Sequence, residues 1–113
     1  KAGHYKGNGN ADGPFINLGF RPAWVMVKQT TTANRDWRVI DAARSPFNLA
    51  DDEIKPNSND GESTSGMQLN LTANGFKIKT SSTACNSNGD SYIYLAFAQH
   101  PFVTSSGVPV GAK

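Results

Sequence analysis

The chain has one cysteine in 113 residues, so no disulfide can form within it. Small secreted domains commonly depend on disulfides, and a lone Cys85 points to folding in a reducing cytoplasm. No nucleophile signature surrounds Cys85, whose expected state is buried and inert. Histidine is nearly as scarce: His4 and His100 stand near opposite ends, and His100, ahead of Pro101, reads as a strand-exit or surface residue. No apolar run approaches the ~20 residues that cross a bilayer, which argues against membrane insertion. An excess of one charge is also missing. Eleven basic and nine acidic residues leave a net +2, and the basic ones are scattered, so nothing suggests a nucleic-acid partner. No signal-peptide pattern and no initiator Met precede Lys1, and the chain is expected to be a piece of something longer. No cofactor motif is present, and no cofactor is expected.

What remains is a composition 37% hydrophobic and rich in Asn, Ser, Thr and Gly. That favours an all-β domain with long polar loops, and the length suits one domain with a substantial core. Ser91–Ala98 is apolar on both strand faces: Ile93, Leu95 and Phe97 alternate with Tyr92, Tyr94, Ala96 and Ala98. The pattern predicts a central strand covered above and below, entered through Asn86–Asp90 and closed by Pro101. Ala23–Lys28 is its expected partner, being rich in residues that suit a pleated buried surface. Short strands are expected at Lys1–Gly7 and Phe15–Leu18, with a turn at Gly19–Pro22. Arg35–Ala42 reads as another strand, with Trp37 and Val39 on one face and Arg38 and Ile40 on the other. Met67–Thr80 reads as a hairpin around Ala73-Asn74-Gly75, with Gly75 supplying positive φ. From Ala43 to Ser65 the pattern disappears, apart from a short helical turn at Asp51–Lys55. So long an irregular connection is expected to be functional or to cover something. The fold class is therefore all-β, an antiparallel two-sheet β-sandwich, jelly-roll-like, with little or no helix. The domain is expected over 1–102, with an extended tail over 103–113.

Groups able to perform catalysis are not concentrated anywhere. The carboxylates Asp36, Asp41, Asp51, Asp52, Glu53, Asp60, Glu62 and Asp90 lie mostly in loops, and no spacing selects a glycosidase pair. No enzyme and no catalytic residue is expected. Asn8, Asn10 and Asp12 followed by Gly13 resemble the start of a calcium loop, but the closing glutamate position is Gly19. Asn86, Asn88 and Asp90 repeat the partial pattern without the glycine, so no metal site is expected. Trp24 and Trp37 belong to the core or an interface, or else form a platform on which sugar rings stack.

The order of motifs is itself distinctive. Gly7-Asn8-Gly9 comes first, then Ile16–Lys28 (INLGFRPAWVMVK) and Trp37–Arg44 (WRVIDAAR). Leu71–Ile78 (LTANGFKI), Asn88–Ala98 (NGDSYIYLAFA) and His100-Pro101-Phe102 follow. This series resembles a module of tailed-bacteriophage virion proteins, found in tail fibres, tail spikes and minor virion proteins, over most of residues 5–102. The resemblance implies a β-sandwich at the virion surface, made in the bacterial cytoplasm, that works as a fibre oligomer, a trimer, and not as a catalyst. It implies attachment to a bacterial surface glycan or outer-membrane protein. The alternatives are a structural, decorating or trimerising module and, further off, a carbohydrate-active enzyme or its accessory module. Strands are committed to packing, so recognition is expected in the loops Asn8–Gly13, Thr30–Asp36, Asn57–Ser65 and Thr83–Asp90. The candidate ligand-binding residues are Asn8, Asn10, Asp12, Asn34, Asp36, Trp37, Asn59, Asp60, Asn86, Asn88 and Asp90.

Overall fold

In the computed structural model, Ser91–Ala98 (β7) runs through the middle of a four-stranded antiparallel sheet. Its neighbours are β1 (Ala2–Lys6) and β3 (Pro22–Gln29), and β4 (Arg38–Asp41) lies beyond β3. The expected pairing of the two long strands is present, with Met26 opposite Leu95 and Val27 opposite Tyr94. A second antiparallel sheet has the order β2 (Phe15–Asn17), β6 (Gly75–Ile78), β5 (Leu69–Thr72). Phe102–Val103 (β8), at the expected boundary between domain and tail, pairs antiparallel with Pro109–Val110 (β9) of the expected tail. The structure describes residues 1–31, 35–59, 61–64 and 66–98, together with the backbone of 102–103 and 109–110. The expectations for His100 and Pro101 lie outside the described residues. Among the described residues there is no helix, and the fold is a two-sheet β-sandwich.

The core lies between the sheets because each strand sends alternate side chains inward. Tyr5, Val25, Val27, Ile40, Tyr92, Tyr94 and Ala96 come from the larger sheet, and Ile16, Leu69, Leu71, Phe76 and Ile78 from the smaller. Tyr5 stacks on Tyr92 with centroids 5.1 Å apart, and Phe76 meets Tyr94 edge-on at 5.7 Å. The buried Tyr5 hydroxyl donates to the Cys85 carbonyl at 2.7 Å. Cys85 is fully buried, and burial pushes its thiol up to about 12.

Two-sided cover of β7 is not what forms. Its Tyr92, Tyr94 and Ala96 face is buried, whereas Ile93 and Phe97 remain 39% and 51% exposed. The second sheet covers one face only. Trp24 lies beside Phe97 on the open side, with centroids 5.4 Å apart, and is half-buried.

The hairpin forms between β5 and β6, but Gly75 serves it differently from the expectation. Thr72 pairs with Gly75, so Ala73-Asn74 is a two-residue loop and Gly75 is the first residue of β6. A Cβ on Gly75 would run into the Ile16 carbonyl oxygen, so close approach of β2 demands glycine there. Positive φ falls instead at Gly9, Gly19 and Gly89.

The connection from Ala43 to Gly66 closes one side of the sandwich. Ile54 bridges to Val39 at the edge of the larger sheet, and Ala50 bridges to Leu69 at the edge of the smaller. The Asn48 amide donates to Leu71 O and accepts from Leu71 N, both at 2.9 Å, in the manner of a strand neighbour. Glu53, 1% exposed, receives Arg38 Nη1 at 2.8 Å. The expected helical turn at Asp51–Lys55 gives way to extended bridging at Glu53 and Ile54, where edge backbone groups find partners.

Candidate functional site

One end of the larger sheet gathers most of the polar loops. β1 ends at Lys6 opposite Ser91, the start of β7, and β3 ends at Gln29 opposite Tyr92. β4 begins there as well, with Arg38 opposite Val27. The loops over 7–14, 30–37 and 79–90 therefore leave or enter at a single end. Four strands spaced about 4.8 Å apart make that end roughly 14 Å wide between its outer strands.

Asn86 ties two of these loops together and is completely buried. Its Nδ2 donates to Asn8 Oδ1 at 3.1 Å, Asn10 O at 2.7 Å and Thr80 O at 2.8 Å. Its Oδ1 accepts from Asn8 N at 2.8 Å. These bonds leave Asn86 no face for a ligand, and its work is to shape the loops. Asn8 Oδ1 also accepts from Asn10 N, and Asn10 Oδ1 from Asp12 N, each at 2.9 Å. Successive Asx turns thus direct these side-chain oxygens back onto their own backbone. Asp12 pairs with Lys77 Nζ at 2.8 Å, and that hydrogen bond and charge hold its carboxyl below the usual range.

Asp90 is held at the same end. Hydrogen bonds from Ser87 and Thr31, and from Gln29 Nε2 at 2.6 Å, keep its carboxyl below the ordinary value. Asn88 is exposed beside Gly89, which has φ 80°.

Trp37 stands just ahead of β4 and is half-buried. Lys28 Nζ sits 6.0 Å from the ring centroid. The Trp37 backbone N–H donates to Asn57 Oδ1 at 3.1 Å, and Asn57 Nδ2 donates to Asp36 Oδ1 at 3.2 Å. Lys55 Nζ lies 3.7 Å from Asp36 Oδ2. Asn57 therefore brings the long connection to the loop end and fixes the backbone beneath the ring. Asn59 is exposed two residues further on. Asn34 and Asp60 lie outside the described residues.

Of the expected residues, Asn8, Asn10, Asp12, Asp36, Trp37, Asn86, Asn88 and Asp90 share this end. Lys28, Thr31 and Asn57 join them: Thr31 and Asn57 lie in loops expected to take part in recognition without being named as site residues, and Lys28 lies outside those loops. Lys28 carried a signal: it is the charged residue at the exit of an otherwise apolar strand. Asn57 opens one of the expected recognition loops, but its link to Trp37 and Asp36 carried no signal, because these partners are 20 and 21 residues away. Chemically, the site offers a half-buried tryptophan, an ammonium over its ring, and amides and carboxylates held on fixed backbone. Such a set binds polyhydroxylated ligands by stacking and hydrogen bonding. Among the described residues, no three His, Cys, Asp or Glu side chains are grouped to hold a metal ion.

A family model described as "Domain of unknown function (DUF7483)" matches residues 1–101. The chain belongs to the DUF7483 family. The match spans both sheets of the sandwich and every loop of the candidate site. No curated protein and no solved structure matches the chain.

Proposed function

We propose that this DUF7483 domain attaches a tailed-phage virion protein to the bacterial surface, binding a surface glycan through the loop end that surrounds Trp37. The observation carrying this reading is the half-buried Trp37, with Lys28 Nζ 6.0 Å from its ring centroid and its backbone N–H held by Asn57, which also binds Asp36. A flat ring stacks on the apolar face of a sugar with little loss of rotamer freedom, and neighbouring donors and acceptors meet the hydroxyls. An outer-membrane protein is the other receptor class that the loops could engage. Affinity at one site would be modest, and self-association of the virion protein would multiply it through effective concentration. The resemblance of the motif order to virion modules is what suggests the setting.

The test is a pull-down by the isolated chain on whole bacterial cells and on purified envelope polysaccharides. Retention on cells and on at least one polysaccharide supports the reading. Retention on neither defeats it and favours the second reading, a structural virion module. The exposed apolar side of the larger sheet favours that second reading, because it suits assembly without recognition. Depolymerisation of the polysaccharide would establish an enzyme instead.

A further inference from the structure

The connection between β4 and β5 crosses from one sheet to the other, and its residues 45–59 form a strap along the side of the sandwich. At β4, Ile54 exchanges backbone hydrogen bonds with Val39 at 2.9 and 3.1 Å. At β5, Ala50 exchanges them with Leu69 at 2.8 and 2.9 Å, and the Asn48 amide grips both backbone groups of Leu71. The strap also holds itself together. Ser45 Oγ donates to Asp52 Oδ2 at 3.0 Å and accepts from Asp52 N at 3.2 Å, and Ser58 N donates to Lys55 O at 3.0 Å. Glu53 exchanges backbone bonds with Ser63, which travels with it.

What the strap has little of is apolar burial, the dominant favourable contribution to folding. Of its apolar side chains only Ala50 is buried; Phe47 is 81% exposed, and Leu49 and Ile54 are exposed as well. β3 and β7 instead bury Val25, Val27, Tyr92, Tyr94 and Ala96. A segment fastened by edge hydrogen bonds, with few buried apolar contacts, opens at a lower free energy than the whole domain.

The deepest fastening is ionic. Glu53 receives Arg38 Nη1 of β4 on Oε1, while its Oε2 is buried with no hydrogen-bond partner. Opening hydrates that oxygen, so closure gains less from this carboxylate than a fully bonded one would supply. Gly66 makes room for the pair: a Cβ there would meet both Glu53 Oε1 and Arg38 Nη1. The strap also reaches the loop end, where Asn57 Oδ1 accepts from Trp37 N–H and Asn57 Nδ2 donates to Asp36.

We infer that residues 45–59 open and close as one unit on an intact two-sheet core, latched by Glu53 on Arg38, and that opening frees the Trp37 backbone. The strap then sets whether the loop end is assembled for binding. This places a control on the site of the proposed function, but the motion is read without any ligand and stands or falls apart from glycan binding.

The test is amide hydrogen exchange of the full chain, resolved by residue with NMR, in urea below the unfolding midpoint. The amides of Val39, Ala50, Ile54 and Leu69 should share one protection, roughly 100-fold or more below that of β3 and β7, with a much shallower urea dependence. Glu53→Leu leaves the Arg38 charge without its partner and should speed these amides by roughly 100-fold, and Trp37 N–H with them. Adding Arg38→Met to Glu53→Leu should return the strap amides to within about tenfold of wild type, because apolar groups replace the whole pair. Gly66→Ala, which crowds the pair and removes no charge, should act in the same direction as Glu53→Leu. Strap amides that share the protection and urea slope of β3 and β7 overturn the inference. Unequal protection from residue to residue overturns the single unit. A Trp37 N–H unmoved by Glu53→Leu overturns the control of the loop end.

Discussion

Replacing Asn86 with alanine tests how the loop end is built. The wild-type side chain makes four hydrogen bonds from a completely buried position, linking Asn8, Asn10 and Thr80. Alanine leaves two carbonyls and one N–H without their partner. At a net ~1 kcal/mol for each bond, Asn86→Ala should cost about 3–4 kcal/mol, or about 2 if water enters the space. A domain of this size has roughly 5–15 kcal/mol in all, so the loss is a large fraction. With a urea slope of about 1–3 kcal/mol/M, the unfolding midpoint should fall by roughly 1 M or more. Asn86→Asp separates bonding from volume. It keeps an acceptor for Asn8 N–H but places carboxylate oxygen against Asn10 O, Thr80 O and Asn8 Oδ1. At neutral pH it should therefore be less stable than the alanine variant, and it should recover as pH falls and the carboxyl becomes a donor. A midpoint shift under about 0.3 M for both variants would refute the claim that this side chain holds the loops.

Gly75→Ala would ordinarily stabilise a strand by roughly 0.5–1 kcal/mol, but here it should destabilise, because the new Cβ meets the Ile16 carbonyl; an unchanged or raised melting curve would dismiss that close approach. Phe76→Ala should cost about 3–5 kcal/mol, whereas Phe97→Ala, at low protein concentration, should cost only about 1–2 because its ring is half exposed. Equal losses would restore two-sided cover of β7. Burial raises the folded Cys85 thiol from 9.0 to about 12, so the folded state holds its proton longer than the unfolded state. That contribution is complete below pH 9 and is lost as pH rises toward 12, reaching about 4 kcal/mol. Cys85→Ala should flatten the alkaline limb of stability against pH, and an identical slope would show that the thiol does not titrate with folding.

Alternation carried most of the fold. The period of two in Ala23–Lys28, Met67–Leu71 and Ser91–Ala98 located the strands because each has to send alternate side chains into the core. It misled at β7, since an apolar face against a second sheet and an apolar face left for another surface share one pattern. It was silent over Ala43–Gly66, where isolated bridges, the Asn48 amide and the Arg38–Glu53 pair replace periodic packing. The loop end was legible as a concentration of Asn, Asp, Ser and Thr. Composition could not separate Asn86, buried in bonds to the backbone, from Asn88, exposed on the neighbouring turn. Nor could it foresee that Asn57, remote in sequence, fixes the backbone of Trp37.

The most direct measurement compares wild type, Trp37→Ala and Trp24→Ala for retention on bacterial cells and on an array of purified capsular and lipopolysaccharide O-chain polysaccharides, with melting temperatures recorded in parallel. Wild type and Trp24→Ala should bind alike on a per-site basis. Trp37→Ala should lose about tenfold in affinity, as removal of one stacking ring implies, with its fold retained. Undiminished binding by Trp37→Ala, or no binding by the wild-type chain to any cell or polysaccharide, would contradict the assignment of the loop end as a glycan site.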